Sequence, residues 1–254
     1  MRWKRQSALF FGIGIALIVV ALSIIASLQL MSAHAHVSPN PANDPFSFIT
    51  DKASSDESDD EGFVEVDWTY WKEVNPDIIA WVNIPDTKIS YPIMRAPTDN
   101  PTFYLHHDIY RNYSVYGVPY LDTERPEHNE QAFNAIIYGH NMDDGSMFSD
   151  LASYSDEDYA RDHDTICLQT PAGKERLCVA FVSIIDGDNT AKGIHFLDEE
   201  AFRAWYQEQR ELACVTLDSQ ADPAFIVTFC TCSYHEFSNE RTLVVCTPTT
   251  NEHT

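Results

Sequence analysis

Positive charge is what this 254-residue chain has least of: sixteen lysines and arginines stand against thirty-nine aspartates and glutamates, a formal net charge of −23 at pH 7. So acidic a surface argues against partners that require a basic one, nucleic acid and anionic lipid headgroups among them. Internal repeats are absent, which sets aside solenoid and propeller architectures. Long apolar runs are scarce as well. The single one that could cross a bilayer lies within Gln6 to Met31 and includes LFFGIGIALIVVALSIIASLQLM, against the ~20 residues a hydrocarbon core requires.

Arg2, Lys4 and Arg5 precede that run, and no cation follows it within the next twenty residues. The asymmetry orients the N-terminus inward and the bulk of the chain outward. A cleaved signal peptide, with Ala33-His34-Ala35 as its small-x-small site, is the competing reading; its hydrophobic region of ~7–15 residues would be shorter than the run present. The expected organisation is a cytoplasmic tail (1–5), a transmembrane signal-anchor (6–31), an acidic Pro/Ser-rich stalk (32–62) and an extracellular folded domain (63–254). The chain is thus expected at the cell membrane, single-pass, with its N-terminus cytoplasmic. The stalk reads SPNPANDPFSFITDKASSDESDDEG over 38–62, with little to fill a core. Its Asp44-Pro45-Phe46 is read as an aromatic in a linker, with docking back onto the domain as the alternative.

In the folded part, VEVDWTYWKEVN carries Val64, Trp68, Trp71 and Val74 at helical spacing and is stopped by Pro76. Eight short β-branched and aromatic runs follow, at 77–84, 88–94, 115–121, 133–139, 165–170, 175–185, 225–230 and 241–246, bounded by Pro, Gly, Asn or Asp. Many short strands solve their edge problem by closing into a barrel or packing as a sandwich. A clear helix interrupts them at 196–212, with Asp198 as N-cap, Glu199 and Glu200 in its first turn, and Phe202, Trp205, Tyr206 and Gln209 along one stripe.

Three residues at strand ends carry chemistry. A cysteine nucleophile needs a partner that makes or keeps its thiolate, and a group that stabilises the oxyanion formed when it attacks a carbonyl. Cys232, His140 and Arg241 are those three kinds of group. Taken singly, each has an ordinary structural role as packing cysteine, turn histidine and solvated strand-edge arginine.

The wording around them gathers them. YGHNMDDGSMFSDL, TFCTCSY and NERTLVV resemble the histidine motif, the cysteine strand and the arginine strand of the sortases, cysteine transpeptidases of the Gram-positive cell envelope. WKEVNPDIIAWVNIPDTKISYPIM is similar to the entry segment of class B. The resemblance runs from about Val66 to Cys246 and implies a mainly β fold, a closed eight-stranded sortase-type barrel with peripheral helices, one N-terminal and one before the cysteine strand. Carried over by position, Cys232 is the nucleophile, His140 the general acid and base, and Arg241 the residue that orients substrate and stabilises the oxyanion. The implied reaction cleaves a surface protein's C-terminal sorting signal after threonine and passes the acyl group from Cys232 to an amine of a peptidoglycan precursor or pilin. No cofactor or metal is implied.

Asn100 and Leu105 in DNPTFYL match a segment that contacts the sorting signal in class B, with one residue more between Asn and Tyr than the family pattern has. Cys230 stands where serine is usual. Alternation places it on the same face as Cys232, with Thr231 opposite, so it is expected to line the same groove. Cys167 and Cys178 would face each other across a hairpin with a two-residue turn at Ala172-Gly173, giving a disulfide; a turn with Pro171 at its second position would shift the register and separate them. A zinc site from Cys230, Cys232, His235 and His140 is the chemical rival, but strand residues i and i+2 stand ~6.6 Å apart where zinc-bound thiolates must approach to roughly 3.8 Å. A membrane-tethered barrel that binds peptide without turnover is the rival from another class.

Overall fold

Strand formation follows the β-branched runs, and the computed structural model resolves how they pair. It describes residues 46, 49, 61–123, 133–187, 193, 196–217, 222–233 and 239–249. The apolar run 6–31 and most of the stalk expected over 32–62 lie outside the described residues, among which no helix is long and apolar enough to cross a membrane.

In chain order the elements are α1 (Trp68–Val74), β1 (Ile78–Asn83), β2 (Ser90–Arg95), a 3-10 turn (Phe103–Leu105), β3 (Tyr120–Leu121), β4 (Asn134–Tyr138), a second 3-10 segment (Ser149–Ser155), α2 (Glu157–Asp162), β5 (Thr165–Thr170), β6 (Gly173–Asp186), α3 (Glu199–Leu212), β7 (Val215–Thr216), β8 (Ile226–Ser233) and β9 (Glu240–Pro248). The sheet runs β5-β1-β2-β3-β4-β8-β9-β6, and β6 pairs back onto β5. That last pairing closes eight strands into a barrel, and closure removes the exposed edges. The ninth strand, β7, was not legible in the sequence. It pairs with Phe181 and Val182 of β6, beyond the point where β5 stops.

Alternation sorts the barrel residues into two layers. Val82, Ile93, Ala135, Ile137, Val227, Phe229 and Val244 share one core cluster inside the barrel. Ile136, Ile226, Cys230, Leu243 and Val245 share a second, roofed by Phe202 and Tyr206 of α3. The helix starts at Glu199, after the expected cap and three residues later than the expected 196, and ends at the expected Leu212; the Asp198 carboxylate accepts from the Ala201 amide at 2.8 Å, a cap that stabilises by ~1 kcal/mol.

α1 begins later than Val64, because the Asp67 carboxylate caps it through the Tyr70 amide. The residues before it run along the end of β1 and the β5–β6 hairpin: Gln169 Nε2 donates to the Val64 carbonyl, Asn83 Nδ2 to that of Gly62 and Arg176 Nη2 to that of Glu61. The linker reading of Phe46 is corrected here. Phe46 and Ile49 are 2% and 1% exposed and belong to the main core cluster, since an aromatic and a β-branched side chain gain more from that core than from solvent.

Of the two hairpin registers open for Cys167 and Cys178, the structure takes the one that separates them. The hairpin turns at Pro171-Ala172, with Thr170 opposite Gly173, so Cys167 faces Arg176 and Cys178 faces Thr165. All six cysteines are free.

Phe46→Ala is expected to cost ~3–5 kcal/mol, read from urea denaturation, and removal of residues 1–60 should reproduce most of that loss. Denatured without reductant, the chain is expected to take up six alkylating groups; a lower count would show a disulfide.

Candidate active site

Three neighbouring strands set the site. β4 runs parallel to β8 with Tyr138 beside Cys230, and the same offset carries the next outward residue, His140, to the level of Cys232. β9 runs antiparallel to β8 with Arg241 directly opposite Cys232. Adjacent strands lie ~4.8 Å apart, so histidine, cysteine and arginine stand in a row on the barrel's outer face. Two bonds hold the histidine end of that row: the Gly139 amide donates to the Cys230 carbonyl at 3.1 Å, and Asn141 Nδ2 donates to the Cys232 carbonyl at 2.9 Å.

The loop after His140 folds back on itself. The Phe148 amide donates to the His140 carbonyl at 2.7 Å, and Phe148 drops into the barrel to meet Phe229 edge-on. A Cβ at Gly139 would lie 2.4 Å from the Phe148 ring, which is why glycine precedes the histidine.

His140 Nε2 lies 2.8 Å from the Leu105 carbonyl oxygen. A carbonyl only accepts, so the neutral ring carries its proton on Nε2, and Nδ1 is the nitrogen that can exchange a proton with a reacting group. Arg241 Nη1 donates to the Glu240 carbonyl at 2.9 Å; among the described residues its remaining donors have no protein partner.

The row opens into a cleft of about 440 Å³ lined by Pro101, Thr102, Leu105, Tyr120, Asp122, Tyr138, Gly139, His140, Cys230, Thr231, Cys232 and Arg241. Cys230 therefore lies on the cleft, on the face alternation assigned to it, and its buried side chain also packs under α3. α3 itself contributes no residue to the lining; Phe202 and Tyr206 share a buried cluster with Cys230. Leu105 lines the cleft, whereas Asn100 is exposed and is not part of the lining, its amide and carbonyl being used in the turn that leads to Phe103. The residues that the motifs did not single out are Tyr120, Asp122, Tyr138, Pro101 and Thr102. Tyr138 was within reach of alternation from His140, and Pro101 and Thr102 lie within DNPTFYL; Tyr120 and Asp122 arrive only through tertiary structure. Tyr138 Oη donates to Asp122 Oδ2 at 2.8 Å. Burial first, then the Asp122 charge, pushes the Tyr120 and Tyr138 phenols well above their ordinary range, so both remain donors.

No three His, Cys, Asp or Glu side chains gather into a metal-binding group among the described residues; His235 of the zinc alternative lies outside them. The arrangement joins a thiol, an imidazole with a defined exchanging nitrogen and a guanidinium with donors to spare among the described residues, a set suited to acyl transfer through a thioester.

Residues 82–249 match the Sortase domain family. Over 99 residues the chain is 37% identical to sortase B of Listeria monocytogenes, covering 39% of this chain and 39% of that protein. Over 108 residues it is 30% identical to sortase B of Staphylococcus aureus, covering 42% of this chain and 43% of that one. The matched stretches thus span about two fifths of the length of these curated relatives. The crystal structure of Clostridium perfringens sortase B superposes with a TM-score of 0.65 at 24% identity, covering 71% of this chain and 98% of that one. The chain belongs to the sortase family; the relatives and the solved structure it resembles are sortases B.

Gly139→Ala is expected to destabilise the fold by ~1–3 kcal/mol through overpacking against Phe148 and to slow any reaction of Cys232 by displacing His140. Thermal denaturation and iodoacetamide trapping of Cys232 would read the two effects; unchanged values would contradict the close approach.

Proposed function

We propose that this chain is a membrane-anchored class B sortase, a cysteine transpeptidase that acts on C-terminal sorting signals. The observation that carries the reading is the row of His140, just beyond β4, with Cys232 of β8 and Arg241 of β9, within one cleft.

In the proposed cycle the Cys232 thiolate adds to the carbonyl carbon of the signal's threonine. The oxyanion is met by the guanidinium of Arg241, whose planar fork offers paired donors that lysine lacks. As the tetrahedral adduct collapses, protonated His140 gives its Nδ1 proton to the leaving amine, and a thioester to Cys232 remains. An acceptor amine then adds to the thioester carbonyl, His140 takes its proton, and Cys232 departs as thiolate with a new amide formed. The acceptor is an amine of a peptidoglycan precursor or of a pilin. Leu105, Cys230 and Asn100 are proposed to contact the signal, Leu105 and Cys230 from the cleft wall and Asn100 from its rim.

Anchoring through residues 6–31 is supported by the length of the apolar run and the cations before it. On this reading the catalytic domain lies outside the cell, where acceptor and surface proteins meet.

Intact-mass spectrometry of the purified protein, wild type and Cys232→Ala, after incubation with a pool of candidate sorting-signal peptides and no amine, tests the reading. An acyl adduct on the wild type alone, mapped to Cys232, is expected. Tight peptide binding by both proteins without an adduct would favour a non-catalytic peptide-binding barrel. Arg241→Lys is expected to lower the acylation rate ~100-fold or more; near-normal turnover would overturn the role given to Arg241.

A further inference from the structure

A buried polar cluster behind the cleft is not used by the chemistry above. Tyr104 is fully buried in the 3-10 turn, one residue before Leu105. Its hydroxyl donates to Asp77 Oδ2 at 2.6 Å and accepts from Asn75 Nδ2 at 2.9 Å. Asn75, buried as well, also donates through Nδ2 to the Ile109 carbonyl at 2.8 Å and accepts through Oδ1 from the Asp77 amide at 3.0 Å. From the solvent side Arg111 forms an ion pair with Asp77. Arg111 has a φ of 64°, a left-handed conformation that a residue with a Cβ keeps only where its surroundings over-determine it. Burial and the bond to Asp77 push the Tyr104 phenol up to about 12.

The other side of the same turn is equally constrained. Gly117 has a φ of +57°, and a Cβ there would stand 2.5 Å from the Tyr104 carbonyl oxygen and 2.6 Å from that of Leu105. The Val118 amide donates to the Tyr104 carbonyl at 3.0 Å. The turn that carries the Leu105 carbonyl is therefore held at Tyr104 by its hydroxyl and packed closely against the backbone of Gly117.

We infer that Asn75, Asp77, Tyr104 and Arg111, with Gly117, are positioning residues for His140: they hold the Leu105 carbonyl where it keeps the imidazole proton on Nε2 and Nδ1 open to the cleft. The inference rests on the reading of His140 as the acid and base. The two neutral tautomers of a free imidazole are close in energy, so the hydrogen bond to one nitrogen decides which is present. A turn shifted by about 1 Å would release that bond, and a proton on Nδ1 would block proton acceptance there. Because Leu105 also lines the cleft, substrate contact and histidine orientation meet in one residue.

Nitrogen-15 NMR of the purified full chain with labelled histidine tests this, the His140 resonances being identified by their loss in His140→Gln. The wild type is expected to hold the Nε2–H tautomer at His140. In Tyr104→Phe, and more strongly in Gly117→Ala, the two tautomers should mix, with kcat for peptide cleavage lowered about tenfold and KM changed less than about twofold. Arg111→Gln, a change at the exposed end of the cluster, should move the tautomer in the same direction by less and decides the matter if the other two variants fail to fold. Folded variants with wild-type tautomer, whatever their melting temperatures, would overturn the inference. The tautomer is read without turnover, so absence of cleavage by the wild type would count against the proposed function and not against this one.

Discussion

Everything in the site depends on the pairing register of β8 with its two neighbours. The strand alternates between the barrel interior, reached by Val227 and Phe229, and the outer face, reached by Cys230 and Cys232. A slip of one residue would exchange the faces, burying Cys232 and turning Thr231 outward. Phe229 opposes such a slip by packing on Phe148 inside the barrel, and the Asn141 bond to the Cys232 carbonyl opposes it at the strand's end. Catalytic placement and core packing are thus one constraint: the contacts that fill the barrel aim the thiol.

The same register brings a single cation to the cleft. In a chain with a formal charge of −23, Arg241 is the sole lysine or arginine among the described residues lining the cleft, and Asp122 the sole carboxylate. Asp122 is engaged by the Tyr138 hydroxyl. A guanidinium in a partly desolvated cleft interacts more strongly with a developing oxyanion than it would in water. The aromatic wall of Tyr120 and Tyr138, both held protonated, supplies that desolvation without adding negative charge.

The barrel also explains why the polar cluster around Tyr104 sits on the outer face. Inside, the alternating strands supply aliphatic and aromatic side chains; outside, the segment between β2 and β3 must cross the sheet and satisfy its own backbone. Asn75 and Asp77, at the junction of α1 and β1, do so for Tyr104 and Ile109. A long connection thereby acquires a defined shape next to His140, where an irregular loop would leave the imidazole without a fixed partner.

Much of this was legible along the chain because it is local. Eight β-branched runs announced eight strands, Asp198 and the stripe of Phe202 and Tyr206 announced α3, and alternation put Cys230 beside Cys232 on one face. What depends on two distant segments was not. The two-residue β7 exists only because β6 outruns β5 and leaves an edge to pair. Phe46, flanked by proline and acidic residues, has the local composition of a linker and is buried only because the core has room for it. The separation of Cys167 from Cys178 hinged on which dipeptide turned the hairpin, a difference of one residue in register. The sequence by itself determined the chemistry available, a cysteine, a histidine and an arginine each at a strand end. Tertiary structure alone decided that these ends share one level and that the Leu105 carbonyl sets the histidine's proton, because pairing register and loop closure are properties of segments brought together by folding.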